Sequence, residues 1–156
     1  MGGSIQLDFD DYFLQVADVI RVKSKDPNTQ VGAVIVGPER QIVSTGYNGF
    51  PRGIDETDPK RWERPIKIQF IEHAERNAIY NAARHGIALR GCTMYIIGFG
   101  PPTVACTECA RAIIQSGIVR VVGRSVKEAS KEWADDLYFA KTMLLEAGII
   151  LKEVTR

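Results

Sequence analysis

The stretch TMYIIGFGPPTVACTECARAIIQSGIVRVVG, residues 93 to 123, decides the fold class of this chain. It begins with the β-rich run TMYIIGF (93 to 99), continues through the helical segment CTECARAIIQSG (106 to 117) and ends with a second strand, IVRVVG (118 to 123). A further helix from about residue 131 to residue 147 and a last strand, IILKEV (149 to 154), extend the pattern. Strands that alternate with helices indicate right-handed crossovers and a parallel sheet segment covered on both faces.

The N-terminal half of the sequence adds antiparallel elements to this pattern. The segment FDDYFLQVADVIRVKS (9 to 24) has apolar residues at helical spacing, with Asp8 as a possible cap. The runs VGAVIV (31 to 36) and QIVSTGY (41 to 47), joined by the turn GPER, predict a hairpin, and GFPRGIDETDPKRWERP (49 to 65) predicts a long loop. We therefore expect one domain over residues 1–156, an α/β fold arranged as a three-layer α/β/α sandwich with a mixed five-stranded sheet.

Composition narrows the function classes. A hydrophobic content of 45% over 156 residues fits one globular domain with a sizeable core. The net charge is +1, and 20 Lys and Arg are interspersed with 19 Asp and Glu, which disfavours a dedicated nucleic-acid binder. No apolar stretch is long enough to cross a bilayer, and the start MGGSIQ lacks the pattern of a signal peptide, so we expect a cytoplasmic protein.

Two short motifs point to a metal site. Cys106 and Cys109 are three residues apart at the start of one predicted helix, and His73 and Glu75 lie in the first turn of HAERNAIYNAARHG (73 to 86). In mid-helix, residues two apart point to nearly opposite sides. Where two helix N-termini meet, the shared point lies near both helix axes, so the angle between the two side chains matters little. One imidazole and two thiolates leave a tetrahedral zinc ion one open position, as in catalytic sites. We expect one Zn²⁺ per chain, with Glu75 beside it and not bound to it.

Each motif alone also has a simpler interpretation. A C-x-x-C pair can be a redox element or a coincidence, and His73 could simply cap its helix. Cys92 has no second cysteine or histidine near it in the sequence, so we expect it to be a core or strand-edge residue. His85, at the end of its helix, is expected to contact helix carbonyls and not a metal. The two motifs in this order, each opening a helix, are more specific than either one.

At these residues the sequence resembles the zinc-dependent cytidine deaminase superfamily, whose signature is H-x-E followed by P-C-x-x-C. The segments SKDPNTQVGAVIV, STGYNGFPRG, HAERNAI and CTECARAIIQSGI resemble the deoxycytidylate deaminases in order and spacing. The resemblance implies that His73, Cys106 and Cys109 bind zinc, that Glu75 is the catalytic proton shuttle, and that dCMP is hydrolysed to dUMP and ammonia. Ala105 stands where the family usually has proline, a change that a helix start tolerates.

The resemblance also implies substrate and effector sites, a homohexamer, activation by dCTP and inhibition by dTTP. Asn48 would lie by the sugar, although Asn48-Gly49 is also simply a good turn. Ala74 is a further substrate candidate. Ser24, Lys25 and Lys127 are candidates for binding the phosphate, and each of these three could equally be a solvated surface residue. The effector candidates are Gly49, Phe50, Pro51, Arg52, Gly53 and Arg84.

Two other functions remain open at this point. A tRNA adenosine deaminase or another nucleobase deaminase shares the H-A-E and C-x-x-C motifs, although the near-neutral charge disfavours an RNA-binding surface. A non-catalytic, zinc-stabilised binding module would not need Glu75, and it would need a fourth protein ligand, which is not obvious in the sequence.

Overall fold

Five strands form the centre of the fold: β1 (Gly32–Val36), β2 (Ile42–Tyr47), β3 (Thr93–Phe99), β4 (Arg120–Lys127) and β5 (Ile150–Glu153). Their spatial order is β2-β1-β3-β4-β5. The computed structural model describes residues 6–100 and 105–155. The pairs β1–β2 and β1–β3 are antiparallel, whereas β3–β4 and β4–β5 are parallel. The predicted mixed five-stranded sheet is confirmed. The helices are α1 (Phe9–Arg21) before β1, α2 (Ile66–Phe70) and α3 (Ala74–Arg84) between β2 and β3, α4 (Thr107–Ser116) between β3 and β4, and α5 (Ala134–Glu146) between β4 and β5.

The two faces of the sheet are covered unequally. On one face, Val34, Tyr95 and Val122 pack against α1 through Phe13 and Leu14. The opposite face contributes side chains from the alternate strand positions to a second core, which contains residues of α3, α4 and α5. This split follows from the period of two in a strand, which sends successive side chains to opposite faces. The three layers are therefore one helix, the sheet and three helices.

Helix α3 lies unusually close to the sheet because β2 carries a glycine where the two elements meet. A Cβ atom at Gly46 would lie 2.4 Å from the Ala74 carbonyl oxygen and 2.4 Å from the Ala78 amide nitrogen. Both atoms belong to the backbone of α3, so they could not move aside without shifting the helix. Gly46 therefore sets the distance between β2 and the N-terminal half of α3.

The segment predicted as a loop contains more structure than expected. A 3₁₀ helix (Pro59–Trp62) begins after Asp58, whose side chain accepts a hydrogen bond from the Lys60 amide, and α2 follows it. The prediction of residues 49 to 65 as loop alone was wrong at the 3₁₀ helix, and for α2, which follows that segment, no element was predicted. Elements of four and five residues are too short to show a helical period. Likewise β4 continues four residues beyond the predicted end at Gly123, since it stays paired with β3 up to Phe99.

The remaining elements match the sequence pattern closely. The Asp8 side chain caps α1, as predicted, and a second 3₁₀ helix (Lys131–Trp133) leads into α5. In the described ranges, no helix combines the length and the apolar character that a membrane span requires. Residues 1–5 belong to the segment MGGSIQ, on which the expectation about a signal peptide rests, and they lie outside those ranges.

Candidate metal and catalytic site

The starts of α3 and α4 meet on the helix-rich side of the sheet. His73 is the N-cap of α3 and Cys106 is the N-cap of α4, and both have extended backbone conformations. Asp136 of α5 accepts hydrogen bonds from the amide and the hydroxyl of Thr107, which fixes the start of α4. Two helix N-termini directed at one point place partial positive charge there, which favours bound anions and thiolates.

The geometry of the donor atoms fits a tetrahedral zinc ion. The Nδ1 atom of His73 lies 3.2 Å from Sγ of Cys106 and 3.4 Å from Sγ of Cys109. Ordinary Zn–N and Zn–S bonds at tetrahedral angles separate a nitrogen and a sulfur ligand by about 3.6 Å. Within residues 6–100 and 105–155, the group of side chains close enough to share a metal consists of these three. The donor set therefore fits zinc, and no residue that the structure describes adds a fourth protein ligand to it.

These three side chains shift one another's pKa. The hydrogen bond with Cys106 raises the pKa of His73 to about 9. The hydrogen bond from Cys109 lowers the pKa of Cys106, and the same contact, together with burial, raises the pKa of Cys109. Zinc binding requires the imidazole and both thiols to lose their protons, so a metal bound here would displace them and its affinity would fall in acid.

Glu75 lies beside the three donors and is buried. Its Oε2 atom lies 3.8 Å from Sγ of Cys109, which donates to it. Burial raises the pKa of the Glu75 carboxyl. A carboxyl whose pKa is raised toward neutrality can both take up and release a proton, which is what general acid–base catalysis requires.

Asn48 is the centre of a buried hydrogen-bond network. Its Oδ1 accepts from the Val31 amide at 2.8 Å, and its Nδ2 donates to the Thr29 carbonyl at 2.8 Å and to Asp26 at 3.3 Å. The Ser24 hydroxyl donates to the Asn48 carbonyl at 2.8 Å. Ser24 and Asn48 thus hold the loop between α1 and β1 against the end of β2. Sequence reasoning missed Asp26, although it lies within the quoted segment SKDPNTQ.

A cavity of about 900 Å³ opens beside this network. Two of the predicted phosphate candidates, Lys25 and Lys127, line it together with Arg64 and Lys67. Its apolar walls include Phe99 and Trp133, whose rings meet edge to face with centroids 5.7 Å apart. A cavity of this size accepts a ligand as large as a nucleotide. Its lining carries four cations against two carboxylates, Glu63 and Glu128, and neither Ser24 nor any of the three metal-ligand candidates lines it.

The effector candidates lie between β2 and α3. Arg52 donates to Asn81 of α3 at 2.7 Å, and Phe50 stacks on Trp62 with ring centroids 4.1 Å apart. Gly49 pairs with Glu72 through both backbone groups, whereas Arg84 is exposed at the end of α3. The backbone around Pro51 and Gly53 turns: Ile54 N donates to Pro51 O, and Gly53 has a φ of 83°.

Three minor expectations can be compared with the structure. Cys92 is a buried core residue, as predicted. The His85 Nδ1 lies 2.9 Å from the Asn81 carbonyl oxygen, which confirms the expected contact with a helix carbonyl. Ala74, a substrate candidate, is fully buried at the start of α3.

The chain is similar to known deaminases over most of its length. Residues 7–124 match the family model for the cytidine and deoxycytidylate deaminase zinc-binding region. The chain is 37% identical over 153 residues to the deoxycytidylate deaminase of Homo sapiens, an alignment that covers 94% of this chain and 80% of the human protein. It is 32% identical over 163 residues to the deoxycytidylate deaminase of Enterobacteria phage T4, covering 80% of this chain and 81% of the phage protein.

A solved structure shares the fold. The dCMP deaminase of cyanophage S-TIM5, in complex with dCMP and dUMP, superposes with a TM-score of 0.73 at 21% identity, covering 96% of this chain and 99% of that one.

Proposed function

The chain belongs to the cytidine and deoxycytidylate deaminase family, and we propose that it is a zinc-dependent dCMP deaminase that converts dCMP and water into dUMP and ammonia. The observation that carries this proposal is the set of three donors, His73, Cys106 and Cys109, at the spacing of tetrahedral zinc ligands, with the buried Glu75 carboxyl beside them. Deoxycytidylate deaminases of human and phage origin, similar along most of their length, support the choice of substrate.

The proposed mechanism assigns the proton transfers to Glu75. When bound, zinc in such a donor set lowers the pKa of a water molecule toward neutrality, which makes it a nucleophile for C4 of cytosine. Glu75 then accepts the proton of that water on its carboxylate and delivers it to ring N3. A second proton passes through the same carboxyl to the departing amine, so that one water is consumed and one ammonia leaves. Burial of Glu75 keeps this proton from exchanging freely with solvent.

The cations of the cavity support a nucleotide substrate over a nucleoside. We propose that Lys25 and Lys127 bind the 5′-phosphate, since both line the cavity beside the Asn48 network. Lys127 Nζ now donates to the Asn28 carbonyl, and Lys25 forms an ion pair with Glu56, so both ammonium groups are already held at the rim. We assign Asn48 to the sugar, with Ser24 holding its backbone, and keep Ala74, which is fully buried at the start of α3, as a substrate candidate implied by the resemblance alone.

An ammonia-release screen tests the choice of substrate. The candidates are dCMP, CMP, deoxycytidine, cytosine and a tRNA, each supplied to the zinc-loaded protein. We expect a kcat/KM for dCMP at least about 100-fold above that for deoxycytidine, because each charge-assisted hydrogen bond to the phosphate contributes about 1.5–3 kcal/mol. Equal kcat/KM for nucleoside and nucleotide would contradict the phosphate site. Turnover of the tRNA alone would favour the nucleobase deaminase that the motifs left open.

We also propose that dCTP activates and dTTP inhibits the enzyme, and that it assembles as a homohexamer. The bond from Arg52 to Asn81 links the loop of Gly49, Phe50, Pro51, Arg52 and Gly53 to α3. Because Glu75 and Arg84 lie on that same helix, an effector bound at the loop could move the catalytic end as a rigid body. The three free thiols suit a reducing, cytoplasmic compartment.

A further inference from the structure

The side chain after the catalytic candidate Glu75 connects two segments of the candidate metal site. Arg76 lies on α3 with its Nε atom 2.9 Å from Oε1 of Glu72 and its Nη2 donating to Oε2 of Glu72 at 2.9 Å. Its Nη1 donates to Oε2 of Glu108, on α4, at 2.5 Å. One guanidinium thus binds carboxylates from two segments that are distant in sequence, and its planar fork is suited to such a double contact.

Both carboxylates are adjacent to metal-ligand candidates. Glu72 directly precedes His73 and accepts a hydrogen bond from the His73 amide at 3.0 Å. Glu108 lies between Cys106 and Cys109 in the first turn of α4. Any movement of α4 away from α3 would therefore stretch the Arg76–Glu108 bond together with the distances between the sulfur atoms and the imidazole.

Burial and charge indicate that this contact is more than a surface ion pair. The side chains of Arg76 and Glu72 are 22% and 17% exposed, so their ion pair, with its one hydrogen bond from Nη2, is largely shielded from water, whereas Glu108 is 61% exposed. The exposed Glu108 contact contributes little to stability, so its value lies in the orientation it imposes.

We propose that Arg76 is a positioning residue for the metal site: by bridging Glu72 and Glu108 it holds the starts of α3 and α4 together and thereby sets the zinc affinity of the chain. This inference rests on the proposed zinc site, but it does not depend on the substrate. Interactions outside the ligand set, which orient the ligands, typically change metal affinity 10- to 100-fold when they are removed.

Zinc affinity, measured by competition with a chromophoric chelator on the full chain, tests this proposal. We expect Arg76→Met to weaken zinc binding about 10- to 100-fold relative to wild type. Arg76→Lys should recover only part of the loss, because an ammonium cannot bind both carboxylates with a fork. The matched control is Arg111→Met, which removes an exposed arginine of α4 and should leave the zinc affinity unchanged.

A second set of variants covers the case in which Arg76→Met does not fold. Glu108→Gln alters only an exposed carboxylate, and we expect it to weaken zinc binding while the thermal unfolding of the apoprotein stays unchanged. Where Arg76→Met does fold, adding Glu108→Gln to it should change the zinc affinity no further, because the partner of Glu108 is already gone. Wild-type zinc affinity in Glu108→Gln, or independent and additive effects of the two substitutions, would overturn the proposal. Zinc binding by the wild-type chain without dCMP turnover would instead count against the proposed function and not against the role of Arg76.

Discussion

Asp26 and Lys67 form a buried ion pair, with 2.5 Å between Oδ2 and Nζ, that joins the loop after α1 to helix α2. The Asp26 side chain is 2% exposed and the Lys67 side chain 14%. The other carboxylate oxygen, Oδ1, accepts from the amides of Asn28 and Thr29 at 2.9 and 3.2 Å. Since Asp26 also contacts Asn48, this pair connects the cavity wall to the proposed sugar-binding residue.

Replacement of Lys67 by methionine should leave the Asp26 carboxylate buried without its cation. We expect a loss of about 3 kcal/mol in the free energy of unfolding, because breaking a buried pair on one side exposes the full cost of the remaining charge. The KM for dCMP should rise as well, because the loop between α1 and β1, which contacts Asn48, loses an anchor. The control is Lys60→Met, an exposed residue of the neighbouring 3₁₀ helix. Urea unfolding with saturating zinc measures the stability of the two variants, and dCMP turnover measures their KM. Equal stability of the two variants would refute the role of the buried ion pair.

A second charged network, on the α1 face of the sheet, should make stability depend on pH. Arg120 donates to both oxygens of Asp10, at 2.9 and 2.8 Å, and Tyr95 and Lys152 contact the same carboxylate. The bond from Arg120 is the main reason that the pKa of Asp10 lies well below its usual range. A carboxyl with a lowered pKa in the folded state stabilises the fold above its unfolded pKa of about 4, and this contribution is lost as the pH falls toward the folded value.

Asp10→Asn should therefore lower the free energy of unfolding by about 1.5–3 kcal/mol at pH 7, since the bonds removed are charge-assisted. The difference from wild type should shrink as the pH falls below about 4, where the wild-type carboxyl begins to lose its advantage. Urea unfolding at pH 7 and pH 3 measures this change. Asp18→Asn, which removes a half-exposed pair with Arg21 on the same helix, should cost less than about 1 kcal/mol. A constant Asp10→Asn deficit at both pH values would contradict the account.

Gly46→Ala should displace α3 from the sheet. The new methyl group would meet two backbone atoms of α3 at 2.4 Å, so the helix must shift and the packing beneath it must change. We expect a loss of about 1–3 kcal/mol in stability and weaker zinc binding, because His73 and Glu75 are at the start of that helix. Thermal unfolding and chelator competition are the measurements. Gly49→Ala, which would meet nothing within 4 Å, serves as the stability control, and equal melting temperatures for the two variants would be evidence against the close contact.

Regulation by triphosphates can be tested on α3. We expect sigmoidal dCMP turnover without effector, a hyperbolic curve with dCTP and inhibition by dTTP, with a coupling of about 1–3 kcal/mol. Arg84→Glu should abolish the sigmoidal dependence and the response to both triphosphates, whereas Arg111→Glu, on α4, should keep them. Hyperbolic wild-type curves that neither triphosphate moves would remove regulation from the account, and the mass of the assembly in solution tests the hexamer.

The sequence predicts the sheet and the donor set well because both depend on local patterns. The strand TMYIIGF is recognised by its apolar, β-branched composition, and Cys106 and Cys109 by their spacing at a helix start. Residues whose importance depends on a distant partner carry no such local signal. Lys67 looks like a solvated lysine until α2 folds over Asp26.

The same reason explains why the contacts of Arg76 and Ser24 could not be predicted from the sequence. Arg76 gains a second carboxylate only when α4 packs beside α3, and Ser24 changes from a phosphate candidate at the surface to a buried donor when its loop closes on Asn48. Helix α2 was missed because five residues cannot display a helical repeat. Side-chain networks between elements are therefore the part of this site that required the structure.

The most direct test of the central claim is the zinc content and dCMP turnover of Glu75→Gln, measured on the same preparation. We expect Glu75→Gln to retain one zinc per chain, as in wild type, because Glu75 lies beside three sufficient ligands. Its kcat should fall by at least about 100-fold, because the proton carrier is lost. Cys106→Ala is the matched comparison and should lose both zinc and activity. Near-normal ammonia release by zinc-loaded Glu75→Gln would contradict the proposed mechanism, and loss of zinc from that variant would contradict the assignment of the ligands.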